Sequence, residues 1–108
     1  MLILFDHVTP RGVARCLPGH VVTKAKERGW EAISNGKLLA EAELAGFDLL
    51  LTADKNMRYQ QNLTGRRIAP IVLSTPQWPR VRLHLEKIAA AVNAATQGSY
   101  AEVEIPLE

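Results

Sequence analysis

Short apolar runs alternate with longer amphipathic stretches along this chain. Leu2–Phe5 is apolar and stops at Asp6; Leu49–Leu51 lies between a turn signal at Gly46 and the abruptly polar Thr52-Ala53-Asp54 group. Apolar runs this short, bounded this way, predict strands buried on both faces. Between them the period changes. Thr9 and Pro10 suit a helix start, and that helix is expected to run to Leu17, before Pro18-Gly19. Its Arg11 and Arg15 would share a face. His20–Thr23 is short and β-branched, a second strand. Lys24–Arg28 reads as one helical turn stopped by Gly29.

Ser34 or Asn35 is placed to cap the next helix, which carries Leu38, Leu39, Ala42 and Ala45 at helical spacing and ends at Gly46. The Phe47–Thr52 strand follows. Residues 55–63 are polar, a short helix or loop. Ile68–Leu73 reads as a strand, at a sheet edge or irregular at its start because Pro70 has no N–H to donate. Val81–Ala95 is the longest expected helix, with Leu85, Ile88 and Val92 on one stripe. Tyr100–Ile105 alternates polar and apolar, as in a half-exposed last strand.

The order β-α-β-α-β-α-β-α, with a last strand possible, implies an α/β fold: a three-layer α/β/α sandwich with a mostly parallel sheet and right-handed crossovers. At 108 residues the chain is expected to form one domain, without repeats or linker. Apolar residues make up 47% and charged residues 22%, as in ordinary folded proteins. A net charge of +2 permits a nucleic-acid partner without requiring one. Cys16 has no second cysteine to pair with, and is expected to be a small structural residue. No basic flank precedes a long apolar core at the N-terminus, and no stretch approaches the ~20 apolar residues that span a bilayer. A cytoplasmic location and no membrane partner are the expectation.

Candidate chemistry concentrates on two aspartates. If the strands ending at Asp6 and Asp54 are parallel neighbours, both carboxylates reach one rim of the sheet, where ligands of open parallel sheets collect. A carboxylate pair there suits a hard divalent cation, Mg or Mn, which could activate water against a phosphodiester. The competing reading is that each aspartate caps the turn after it. Asp48 should lie about 20 Å from Asp54 at the opposite edge, with a structural role. Glu41 and Glu43 fit a solvated helix face, and His7 should point away from Asp6. Arg11 and Arg15 follow Asp6, and Lys55, Arg58, Tyr59, Arg66 and Arg67 follow Asp54, a basic set able to grip a phosphate backbone. Dinucleotide and phosphate-loop glycine motifs, paired Cys/His spacing and a G-x-S-x-G elbow are all missing from the sequence.

Taken in order, Leu4-Phe5-Asp6-His7-x-x-Pro10, Leu17-Pro18-Gly19-His20-x-Val22, Gly29-Trp30, Asn35-Gly36-x-Leu38-Leu39 and Phe47-Asp48-x-Leu50-x-Thr52-x-Asp54-Lys55-Asn56 resemble the PIN-like proteins associated with toxin–antitoxin systems. The resemblance covers roughly residues 1–75. It implies a PIN-like α/β/α fold and a Mg- or Mn-dependent ribonuclease, acting as a toxin restrained by an antitoxin protein. It matches Asp6 and Asp54 to the family's acids and implies that they hold the metal. Where relatives place two further acids, this chain has Asn35 and Asn56, which would orient the cation or its waters. RNA would be seated by Arg11, Lys55, Arg58 and Tyr59. Two alternatives remain open: a catalytically degenerate PIN-like module that binds RNA or a partner protein, and a self-associating domain whose last strand pairs across a homodimer edge.

Overall fold

The computed structural model describes residues 1–59 and 65–106, except the side chains of Arg58 and Tyr59. Five strands form one sheet: β1 (Leu2–Phe5), β2 (Val21–Lys24), β3 (Leu49–Thr52), β4 (Ala69–Leu73) and β5 (Ala101–Val103), in the order β2-β1-β3-β4-β5. Every pairing is parallel. Among the described residues three α-helices, α1 (Asn35–Leu44), α2 (Trp78–Val81) and α3 (Leu85–Ala94), and several 3-10 turns connect them.

Alternation along the central strands divides the core in two. Ile3, Phe5, Leu49, Leu51, Ile71, Leu73 and Val103 project to one face, where they meet Val13, Val81, Ile88 and Val92. Leu4, Leu50 and Val72 project to the other, against Leu38, Leu39, Ala42, Met57 and Ile68. Strands packed on both faces must be apolar at consecutive positions, and Leu49–Thr52 is wholly buried. The two cores make an α/β sandwich with an all-parallel sheet.

Four details depart from the expectations. Residues 11–16 wind as a 3-10 turn, not an α-helix, and Pro10 occupies the cap position. Thr9 turns its hydroxyl away from that turn, onto Asp6 and Leu51. With three residues per turn, Arg11 and Arg15 stand about 120° apart instead of stacking on one stripe. Residues 78–94 are also not one helix: a 3-10 turn, Arg82–His84, separates α2 from α3.

β4 lies inside the sheet between β3 and β5, although it contains Pro70. The Ala69 N–H donates to Asp48 O at 3.0 Å on the β3 side, and Ser74 N–H to Val103 O at 3.0 Å on the β5 side. Alternation therefore turns the Pro70 nitrogen toward β5, whose pairing starts only at Ile71. The missing donor falls where no ladder bond is required.

Crossover hand is the fourth departure. The links β1–β2, β2–β3 and β3–β4 share one hand: the first moves the opposite way along the sheet from the other two and packs on the opposite face. The β4–β5 link moves as β3–β4 does, yet α3 packs on the other face, so it has the other hand. Uniformly right-handed crossovers do not hold here. Burial supplies a reason: without α3, the face bearing Ile3, Phe5, Leu49 and Leu51 would rely on the short 3-10 turn and α2 for its cover.

Among the described residues no helix is long and apolar enough to cross a membrane.

Candidate site at the switch point of the sheet

From the carboxyl ends of β1 and β3 the chain departs toward opposite faces and in opposite directions. Such a switch point opens a crevice at that rim of a parallel sheet. Asp6 follows β1 directly, and Asp54 lies two residues beyond β3. Pairing of Phe5 with Leu51 sets the two strand ends level, and Asp6 N–H continues the ladder to Leu51 O at 3.3 Å. The two acids thus come from non-adjacent parts of the chain to one rim.

Asp6 is buried at 3% exposure. Its Oδ1 accepts from Thr9 N–H at 3.1 Å and faces the Thr9 hydroxyl at 2.6 Å. That hydroxyl also lies 2.8 Å from Leu51 O, and its single proton serves one acceptor at a time. Oδ2 of Asp6 accepts from the Thr52 hydroxyl. Thr52 Oγ1 in turn accepts the Asp54 N–H at 3.0 Å. One threonine, buried on β3, therefore joins the carboxylate of one acid to the backbone of the other.

Asp54 is half-buried. Its Oδ1 accepts from Asn56 N–H at 2.9 Å, and its Oδ2 from the Asn35 side-chain amide at 3.0 Å. Asn35 opens α1, so the helix start brings it to the acid. Asp54 O also accepts from Met57 N–H at 3.0 Å, which starts the 3-10 turn Lys55–Tyr59. Each acid thus holds the turn after it at the end of its strand, so the capping role and the shared location coexist.

The other expected site residues divide. Asn56 meets Asp54 through its backbone N–H, while its side chain is exposed. Lys55 is exposed beside Asp54 and lines a cleft of about 300 Å³ with Val72, Ser74, Glu102, Val103 and Glu104. Arg11 is exposed on the opposite helical layer, five residues beyond Asp6. The side chains of Arg58 and Tyr59 lie outside the described residues.

Arg66 and Arg67 do not join this group. A parallel crossover must return the chain to the amino edge before β4 begins, and there Arg67 N–H donates to Glu43 Oε1 at 2.7 Å and Arg67 O accepts Gly98 N–H at 2.7 Å. Asp48 occupies that edge too, accepting Leu2 N–H at 2.8 Å in the structural role expected of it. A cleft of about 340 Å³ opens there beside Met1, Glu43, Asp48 and Arg67, remote from the acid pair.

Sequence reasoning missed Glu43. Its Oε1 accepts from both Arg67 and Ile68 N–H, at 2.7 and 3.0 Å, and so ties α1 to the start of β4. The Ile68 hydrogen bond, with smaller help from Arg67 N–H and the Arg66 and Arg67 charges, holds the carboxyl below its ordinary value despite some burial. No local pattern marks a helix glutamate as the partner of backbone groups 24 and 25 residues on. Cys16 is structural: its thiol donates to Val13 O at 3.1 Å, and burial pushes its pKa up.

A carboxylate offers about four lone-pair sites. Among the described residues three donors approach Asp6 and two approach Asp54, fewer than four for each carboxylate. Hydrated Mg or Mn, which keeps several waters and takes one or two carboxylates, fits this donor set. A drier site would need further acids, and among the described residues no three of His, Cys, Asp and Glu gather.

The chain matches no family model, no curated protein sequence and no solved structure.

Proposed function

We propose that this chain is a PIN-like domain that cleaves RNA with the help of Mg or Mn, and that it serves as the toxin of a toxin–antitoxin pair. The observation that supports the reading is the link through Thr52, whose hydroxyl bonds the Asp6 carboxylate and the Asp54 backbone at neighbouring strand ends. Asp54, the more open acid, would hold the cation, with Asp6 behind it. A bound divalent ion supplies charge neutralisation at a phosphodiester and a water of lowered pKa. The chain's own groups fix the geometry: Thr9 and Thr52 hold the Asp6 carboxylate, and the Asn35 amide holds that of Asp54.

The test is cleavage of an end-labelled RNA with Mg or Mn. The parent should cut, and Asp54→Asn should not. Equal cleavage by that variant, or none by the parent with any divalent ion, removes the proposal.

One observation favours a second reading. Asn35 directs an N–H donor at Asp54, where the resemblance leads one to expect an acid. An amide adds no negative charge to attract a cation. A catalytically degenerate PIN-like module that binds RNA or the antitoxin would bind without cutting.

A further inference from the structure

With Arg66 and Arg67 at the amino edge, Arg11 and Arg15 remain on the side of Asp6, and the structure packs the elements that carry Arg80 and Arg82 on the same face. The 3-10 turn Arg11–Cys16 begins after the loop that follows β1, and α2 begins after the short loop that follows β4. Both therefore start at the carboxyl rim, and both pack on the same face of the sheet. They are locked together at Gly12. A Cβ on that glycine would stand 2.3 Å from the Trp78 indole, so only a bare backbone fits against the ring. The Arg15 guanidinium lies over the same ring, 5.8 Å from its centre.

The resulting shoulder carries Arg11, Arg15, Arg80 and Arg82, with Lys87 further along α3 and Glu86 as the one acid of these elements. Arg11, Arg15 and Arg82 are exposed. Among the described residues no carboxylate stands within ion-pair distance of Arg11, Arg80 or Arg82. The other layer is mixed: Lys24, Lys26, Arg28 and Lys37 share it with Glu27, Glu31, Glu41 and Glu43, and Lys55 stands beside Asp54 there.

We propose that this arginine shoulder binds the phosphate backbone of single-stranded RNA and leads it to the rim of Asp6 and Asp54. Guanidinium groups match phosphate oxygens in a planar, two-bond geometry that ammonium groups do not offer, and arginine supplies four of the five cations here. Continuity with the acid rim favours RNA over an acidic protein segment. The inference rests on the RNA reading above, but not on turnover.

The test is fluorescence anisotropy of a labelled 12-nucleotide single strand, in EDTA, over a range of salt. Four phosphate contacts give a slope of log affinity against log salt of about −3, at roughly −0.7 per phosphate. Arg11→Gln with Arg82→Gln should lower affinity about tenfold and remove about 1.4 from the slope. Lys26→Gln with Lys37→Gln, on the mixed layer, should change neither. Circular dichroism confirms that each variant is folded. Equal losses in the two double variants would overturn the shoulder, as would an unchanged slope in the first. Displacement of the RNA by a glutamate-rich peptide as readily as by unlabelled RNA would overturn RNA as the occupant. If the parent cuts RNA while the arginine variant binds normally, the shoulder falls and the ribonuclease stands; if binding depends on the arginines but nothing is ever cut, the reverse holds.

Discussion

The Thr52 hydroxyl donates to Oδ2 of Asp6 across 46 residues of chain, and both side chains are buried. Because the same oxygen accepts the Asp54 N–H, loss of the hydroxyl would strip one acid of a donor and leave the backbone of the other without its acceptor.

Thr52→Val keeps the shape and removes both bonds. Unpaired buried polar groups cost about 1–3 kcal/mol each, so urea denaturation should show a loss of about 2–4 kcal/mol. Thr52→Ser should retain most of that stability. A neutral Thr52→Val would mean that the threonine link carries no load.

Asn35→Asp exchanges the donor that faces Asp54 for a second carboxylate. Without metal the two acids repel, and the melting temperature should fall. With Mn the variant should gain more than the parent does, and calorimetry should show on the order of tenfold tighter binding, since the added charge favours the cation. Equal Mn binding by the two proteins would show that Asp54 is not where the ion sits.

Glu43 gives the fold a pH dependence. Its carboxyl titrates below its ordinary value of 4.5, so the native state prefers the charged form. That stabilisation is present above the unfolded value and is lost as pH falls through the lower, folded one. Glu43→Gln should cost about 0.5–1 kcal/mol at pH 7, after allowance for solvent screening, and the gap from the parent should narrow below pH ~4. A gap that persists there would exclude the charge as its source.

Gly12→Ala drives a methyl into the Trp78 indole. The ring must move from its place against Arg15 and the α2 core, at a cost of about 1–3 kcal/mol. Quenching or a shift of tryptophan emission should accompany the loss of stability. Trp78→Leu in the same background should recover part of it by relieving the overlap.

Much of the fold was legible because its signals are local. Leu2–Phe5 and Leu49–Leu51 are apolar at successive positions, as only strands covered on both faces need be. Gly29, at φ 74°, ends its turn as its sequence position suggested. The helical signals were less faithful. Arg11–Cys16 has helical periodicity but too little length to distinguish a 3-10 turn from an α-helix, and nothing local to residues 82–84 foretells the break before α3. The edge suggested by Pro70 assumed pairing along the whole strand, whereas β5 starts one residue later.

At the site, position at a strand end selected Asp6 and Asp54 and set them on one rim, while Asn35 came only from the resemblance. Tertiary structure decided the rest: that Thr52 joins the acids, that Asn35 donates to Asp54, that Glu43 clamps β4, and that Arg66 and Arg67 leave for the opposite edge. The reason is one of range. Apolar periodicity records which side of an element meets the core, and every few residues carry it. A hydrogen bond between side chains 19 or 46 positions apart depends on strand order and crossover face, which the chain acquires only as a whole.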